Sequence, residues 1–106
     1  MIITTAETIH GKHIQKTTGL VRGNTIRARH VGRDIMAALR TQVGGEIIEY
    51  TKLLAEAREQ ALDRMEDEAK RVGANAVVGV RFSTSVVLGG AAELLAYGTG
   101  VVINDE

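Results

Sequence analysis

Apolar positions change period several times along the chain, and each change marks an element. "MIITTAET" opens on β-branched residues and predicts a first strand, and Gly11 offers a turn after it. From Lys12 to Ile26, "KHIQKTTGLVRGNTI", the alternation is imperfect. Ile14, Lys16, Thr18, Leu20 and Arg22 face one way, and His13, Gln15, Thr17, Gly19, Val21 and Gly23 face the other. This predicts a half-exposed strand, bent or bulged near Gly19 and Gly23, where the missing Cβ permits unusual dihedrals.

The period then lengthens to that of a helix. In "RDIMAALRTQVGG", Ile35, Ala38, Leu39 and Gln42 or Val43 recur at spacings of three and four, which predicts a short helix stopped by Gly44 and Gly45. "EIIEYTKLLAEAREQALDRMEDEAKRV" carries the clearest periodicity. Tyr50, Leu53, Leu54, Ala57, Ala61, Leu62, Met65, Ala69 and Val72 share one face of a long helix. Arg64 with Glu68, Glu66 with Lys70 and Asp67 with Arg71 are spaced for ion pairs on its solvent face, each contributing a few tenths of a kcal/mol. Gly73 follows the last periodic residue, with Lys70 and Arg71 in the final turn where cations complement the helix dipole, and so reads as a helix stop.

Strand periodicity returns in "KRVGANAVVGVRFS". Ala76, Val78, Val80 and Phe82 make a wholly apolar face, with Val77, Gly79, Arg81 and Ser83 on the other. In the last segment Leu95, Tyr97, Thr99, Val101 and Ile103 alternate with Leu94, Ala96, Gly98, Gly100 and Val102, so both faces read as buried. The second face is small, as though a backbone, helix or subunit approached Gly98 and Gly100. Gly89 and Gly90 join these strands as a hairpin. The order is β-β-α-α-β-β, an α+β fold with a mostly antiparallel sheet, one short and one long helix. Two helices cover one side of such a sheet, yet the last strands call for cover on both. A homo-oligomer is therefore expected from the pattern alone.

Composition sharpens this expectation. The 106 residues fit one domain spanning 1–106, and a chain of this size buries only about two thirds of the surface it exposes when unfolded. Without cysteine there is no disulfide, thiolate metal site or Cys nucleophile. The N-terminal stretch lacks a basic region, apolar core and cleavage site, and no stretch is long enough to span a membrane, so a cytoplasmic protein is expected. Net charge is zero but unevenly placed. Residues 11–40 hold seven bases and one acid, and residues 46–71 hold eight acids and five bases. This asymmetry reads best as two segments, of one chain or of neighbouring subunits, that complement each other. Nucleic-acid binding is disfavoured, because Tyr50, Phe82 and Tyr97 are scattered rather than gathered into a stacking platform.

"GRD" at Gly32 to Asp34, "VGG" at Val43 to Gly45, Tyr50 ahead of the long helix, "AREQAL", "GANAVVGV" at Gly73 to Val80 and "GTGVVI" at Gly98 to Ile103 together span nearly the whole chain. In this combination the chain resembles the YbjQ-like family, small bacterial and archaeal proteins labelled heavy-metal-binding. The resemblance implies a dodecin-like subunit and assembly into a homopentamer. It implies no reaction. Acidic residues that follow "GANAVVGV" in such proteins are replaced here by "RFSTSVV", so a metal site built on them would be missing.

His10 and His13, in "HGKH", are the close pair of candidate metal ligands, with Glu7 and His30 nearest to complete a site for a divalent ion. Three or four ligands are needed, and two exposed loop histidines are the plainer reading. Arg33, Asp34 and Arg40 offer an anion clamp and a base for an enzyme with a site between subunits, against the plainer reading of Asp34 as a residue favoured in a first helical turn. Gly44-Gly45-Glu46 lacks the Lys-Ser/Thr pairing of a phosphate loop, and Ser83, Thr84 and Ser85 have no histidine nearby in sequence. The expected function is a ring-forming, non-enzymatic homo-oligomer that binds a metal ion or small ligand.

Overall fold

The structure is a computed structural model that describes residues 1–27, 45–87 and 91–106. Strands β1 (Ile2–Ile3) and β2 (Lys12–Arg27) precede helix α1 (Gly45–Arg71), and β3 (Ala76–Val87) and β4 (Ala91–Asp105) follow it. The order across the sheet is β1, β3, β4, β2. β3 and β4 pair antiparallel, as do β2 and β4, but β1 runs parallel to β3 through Ile2↔Ala76 and Ile3↔Val77. The sheet is therefore mixed, because the first strand lies beside an element that returns in its own direction only after β2 and α1 have intervened. The short helix expected around Ile35 to Val43 and the Gly89-Gly90 connection lie outside the described residues. Gly45 itself is the first residue of α1.

β1, at two residues, is shorter than the strand expected from "MIITTAET". Thr4 N–H donates to Val77 O at 3.0 Å, Val80 N–H to Thr4 O at 3.1 Å and Gly79 N–H to Ala6 O at 2.8 Å, so the segment stays tied to β3 after regular pairing ends. It then sets Ile9 against Ala76, Val78 and Val101 on the sheet face away from the helix.

Glycine acts at particular points. β2 shifts register against β4 between Ile14 and Lys16 and again between Thr17 and Gly19, the latter with Gly19 at φ +115°, so the bulge expected near Gly19 is present. No shift occurs at Gly23. A second bulge, around Gly79 at φ +64°, shifts β3 against β4 between Val78 and Arg81. It breaks the apolar face expected of Ala76, Val78, Val80 and Phe82. Ala76 and Val78 pack with Ile9 on one side, while Val80 joins Val77 under the helix. Phe82 pairs with Ala96 and stays 44% exposed.

Ala57, Ala61, Met65 and Ala69, each four residues from the next, form the buried ridge of α1, and the last three pack against Val21, Val77, Val80 and Ala96. A ridge with three alanines permits close approach. A Cβ on Gly23 would overlap Met65 N and Ala61 O, so β2 lies directly under the helix backbone. Buried Thr25 donates its hydroxyl to Ala57 O at 3.3 Å. At Gly98 an added Cβ would lie 2.8 Å from Val77 Cγ1, and at Gly100 3.2 Å from Ala74 Cβ, so the small face of β4 accommodates side chains of its own chain.

The helix ends as a Schellman motif. Gly73, at φ +86°, donates to Lys70 O at 3.1 Å and Ala74 donates to Ala69 O at 2.9 Å, with Ala69 and Ala74 packed in the same cluster. Asn75 then docks like a strand residue. Its amide Nδ2 donates to Ile103 O at 3.0 Å, and its Oδ1 accepts from Ile103 N at 2.7 Å. The three expected ion pairs of the helix do not form. Arg64 caps Asn24 O of β2, Glu66 meets the N-terminal amine at 3.7 Å, and Arg71 pairs with Glu68 three residues back at 3.8 Å. No helix among the described residues is long and apolar enough to cross a membrane.

Candidate functional site

The histidine pair sits at the entry to β2. Gly11, at φ +79°, turns the chain, Lys12 N–H donates to Ile9 O at 3.1 Å, and His10 precedes the turn while His13 lies in the strand opposite Asn104. Both imidazoles and Glu7 are exposed, and His30 lies outside the described residues. No three His, Asp or Glu side chains converge among the described residues. The described residues thus bring two imidazoles to this end of the sheet and do not by themselves complete a coordination sphere there. Next to them the exposed pair Lys12 and Asp105 joins the first residues of β2 to the last of β4, and the ammonium holds the Asp105 carboxyl below its ordinary range, through the hydrogen bond first and the charge second.

Two grooves flank the sheet. One, of about 560 Å3, lies between Met1, Lys12, Asn75, Ile103 and Asp105 at the same end. The other, of about 430 Å3, runs along the outer edge of β2 between Arg22, Asn24, Glu68, Glu93 and Leu95. Its carboxylates are already engaged. Glu68 accepts from Arg22 N at 3.3 Å and Glu93 from Asn24 Nδ2 at 2.9 Å. With Arg64 on Asn24 O, these side chains satisfy backbone groups of an edge strand, which blocks pairing with a stray strand. This arrangement fits edge protection and leaves no free acid–base pair in the groove. Arg33, Asp34 and Arg40 lie outside the described residues.

The sheet face opposite α1 divides in two. Ile9 covers the half around Ala76, Val78 and Val101. On the other half, Leu20 and Ile26 are each 63% exposed. Between them Arg22 of β2 and Arg81 of β3 both register against Tyr97 of β4, so one row across three strands reads Arg, Tyr, Arg. Both arginines are exposed and Tyr97 is half-buried. Arg81 spends one Nη on Thr5 O at 3.0 Å and Val80 O at 2.8 Å, which fixes its stem on the sheet. Sequence spacing misses this row, because the Gly79 bulge moves Arg81 relative to Tyr97 and 59 residues separate Arg22 from Arg81.

The comparisons agree with the residues that carry the resemblance. A family model described as "Putative heavy-metal-binding" matches residues 1–104. A UPF0145 protein of Methanosarcina acetivorans is 60% identical over 103 residues, covering 97% of each chain. One from Archaeoglobus fulgidus is 58% identical over 101 residues, covering 95% of this chain and 94% of that one. The fold is shared with a crystal structure from Pediococcus pentosaceus, described as a protein with unknown function of the DUF74 family, at a TM-score of 0.64 and 18% identity with 98% of each chain covered. With "VGG", "GANAVVGV" and "GTGVVI" lying within a match that spans nearly its full length, the chain belongs to the YbjQ-like family.

Proposed function

We propose that this chain is a one-domain, cytoplasmic subunit of a homo-oligomeric ring, a pentamer, whose primary role is assembly and whose rim or cavity binds a metal ion or small ligand. The observation that carries the reading is the half of the sheet that the described residues leave open, where Leu20 and Ile26 are exposed beside Arg22 and Tyr97. A subunit with an open apolar face is the form an oligomer requires.

His10 and His13 offer two imidazoles, and in a ring rotational symmetry repeats the same donors around an axis. The alternative, an enzyme using Arg33, Asp34 and Arg40 between subunits, requires an activity lost when the assembly dissociates.

Native mass spectrometry of the protein purified from its own host tests this reading. The expected spectrum is a five-subunit species, with any retained metal or ligand visible as added mass. A spectrum of monomer alone overturns the reading, and a pentamer with no added mass removes the ligand from it.

A further inference from the structure

We propose that the uncovered half of the sheet face is seated on the outer, acidic face of α1 of a second copy. This rests on the assembly reading and names the two surfaces that meet.

The sheet side offers Arg22 and Arg81 flanking Tyr97, with Leu20 on one side of the row and Leu95 and Ile26 on the other. Arginine and tyrosine are the residues that anchor interfaces, the guanidinium because its planar fork reaches carboxylates with two donors, and the ring because it covers area at small entropic cost. The carboxylate on this half of the face, Glu93, already accepts from Asn24, so the row presents positive charge outward.

The helix side is its complement. Glu56, Glu59, Asp63 and Asp67 step by three, four and four residues along α1, opposite the buried ridge of Ala57, Ala61, Met65 and Ala69, and Lys70 ends the stripe. All four acids are exposed. Glu59 with Asp63 and Asp63 with Asp67 are like charges one turn apart, an arrangement that weakens an isolated helix. None of the four takes part in an ion pair among the described residues, whereas Glu66 and Glu68 do. A cationic surface laid on the stripe relieves that repulsion.

The geometry favours rings. A sheet face that meets a helix back is a heterologous contact, in which every copy uses two different surfaces, and repetition of such a contact closes into a ring when the rotation allows.

Sedimentation of two charge-reversed chains tests the inference. Arg22→Glu with Arg81→Glu reverses the sheet row, and Glu59→Lys with Asp63→Lys reverses the stripe. Each alone is expected to dissociate at a protein concentration at least about tenfold higher than wild type does, because like charges now face each other. An equimolar mixture is expected to associate more than either variant alone, into alternating species with an even number of chains. Each reversed surface finds its opposite only on the other chain, and a closed ring of five keeps one like-charged contact. Association of the mixture also shows that both variants fold. A wild-type chain that sediments as a monomer overturns the assembly reading itself. A wild-type oligomer whose reversed variants assemble unchanged, or whose mixture associates no more than either variant alone, overturns only the pairing of these two faces.

Discussion

Gly23 of β2 lies directly beneath Met65 of α1, so close that a single Cβ on the strand would overlap the backbone nitrogen of the helix. Met65 is fully buried at the centre of the ridge that crosses the strand there. The contact of two backbones replaces the layer of side chains usually found between helix and sheet, and it fixes the height of α1 above β2.

Gly23→Ala is therefore expected to destabilise the fold by about 3 kcal/mol or more, since a rigid backbone rather than a flexible side chain must move. Urea unfolding measures it. A loss below about 0.5 kcal/mol, the range of an inert surface substitution, would show that the helix is free to lift.

Asn75 provides a second structural test. Replacing it by alanine removes two hydrogen bonds to the backbone of Ile103 and is expected to cost about 1–3 kcal/mol. Asn75→Asp keeps the acceptor for Ile103 N–H but sets a carboxylate against Ile103 O, so it should not rescue the loss. Thermal unfolding of the two variants decides this, and an aspartate variant as stable as wild type would contradict the pairing.

Two threonines on β2 should respond in opposite directions to the same substitution. Thr18 Oγ1 is buried without a hydrogen-bond partner, so Thr18→Val is expected to be neutral or to stabilise by up to about 1 kcal/mol. Thr25 donates to Ala57 O, so Thr25→Val is expected to cost about 1 kcal/mol. Equal effects in denaturant unfolding would refute the distinction.

Much of the fold was legible because periodicity reports burial. The long helix, its stop at Gly73, the strand that follows and the extended β2 all lie where apolar spacing places them. Bulges were harder. A register shift at Gly79 moves Val80 to the face opposite Val78 although a spacing of two predicts the same face, and only the pairing of β3 with β4 reveals this. Gly23 looked like a bend because sequence records a missing Cβ without saying what occupies its space. The parallel pairing of β1 was hidden for a different reason, since two strand residues carry too little pattern to indicate direction. At the candidate surfaces the ingredients were visible as a basic segment and an acidic one. Their arrangement was not, because Arg22, Tyr97 and Arg81 become neighbours only through two strand pairings.

The Lys12 and Asp105 pair predicts a local pH response. The folded carboxyl is held below its ordinary value of 3.8, so its contribution is present above the unfolded value and is lost as pH falls through the folded one. Both ends of the pair are solvated, and Asp105→Asn should leave global stability nearly unchanged. An NMR titration of Asp105 in wild type and in Lys12→Met tests the cause. The midpoint should rise toward the ordinary value in the variant, and identical midpoints would dissociate the shift from Lys12.

Assembly requires that the open half of the sheet be covered by another copy of the chain. Sedimentation equilibrium at micromolar concentration measures this directly. The predicted result is a stable species several times the 11.4 kDa chain mass, five times for the pentamer. A single species of 11.4 kDa across that range would contradict it.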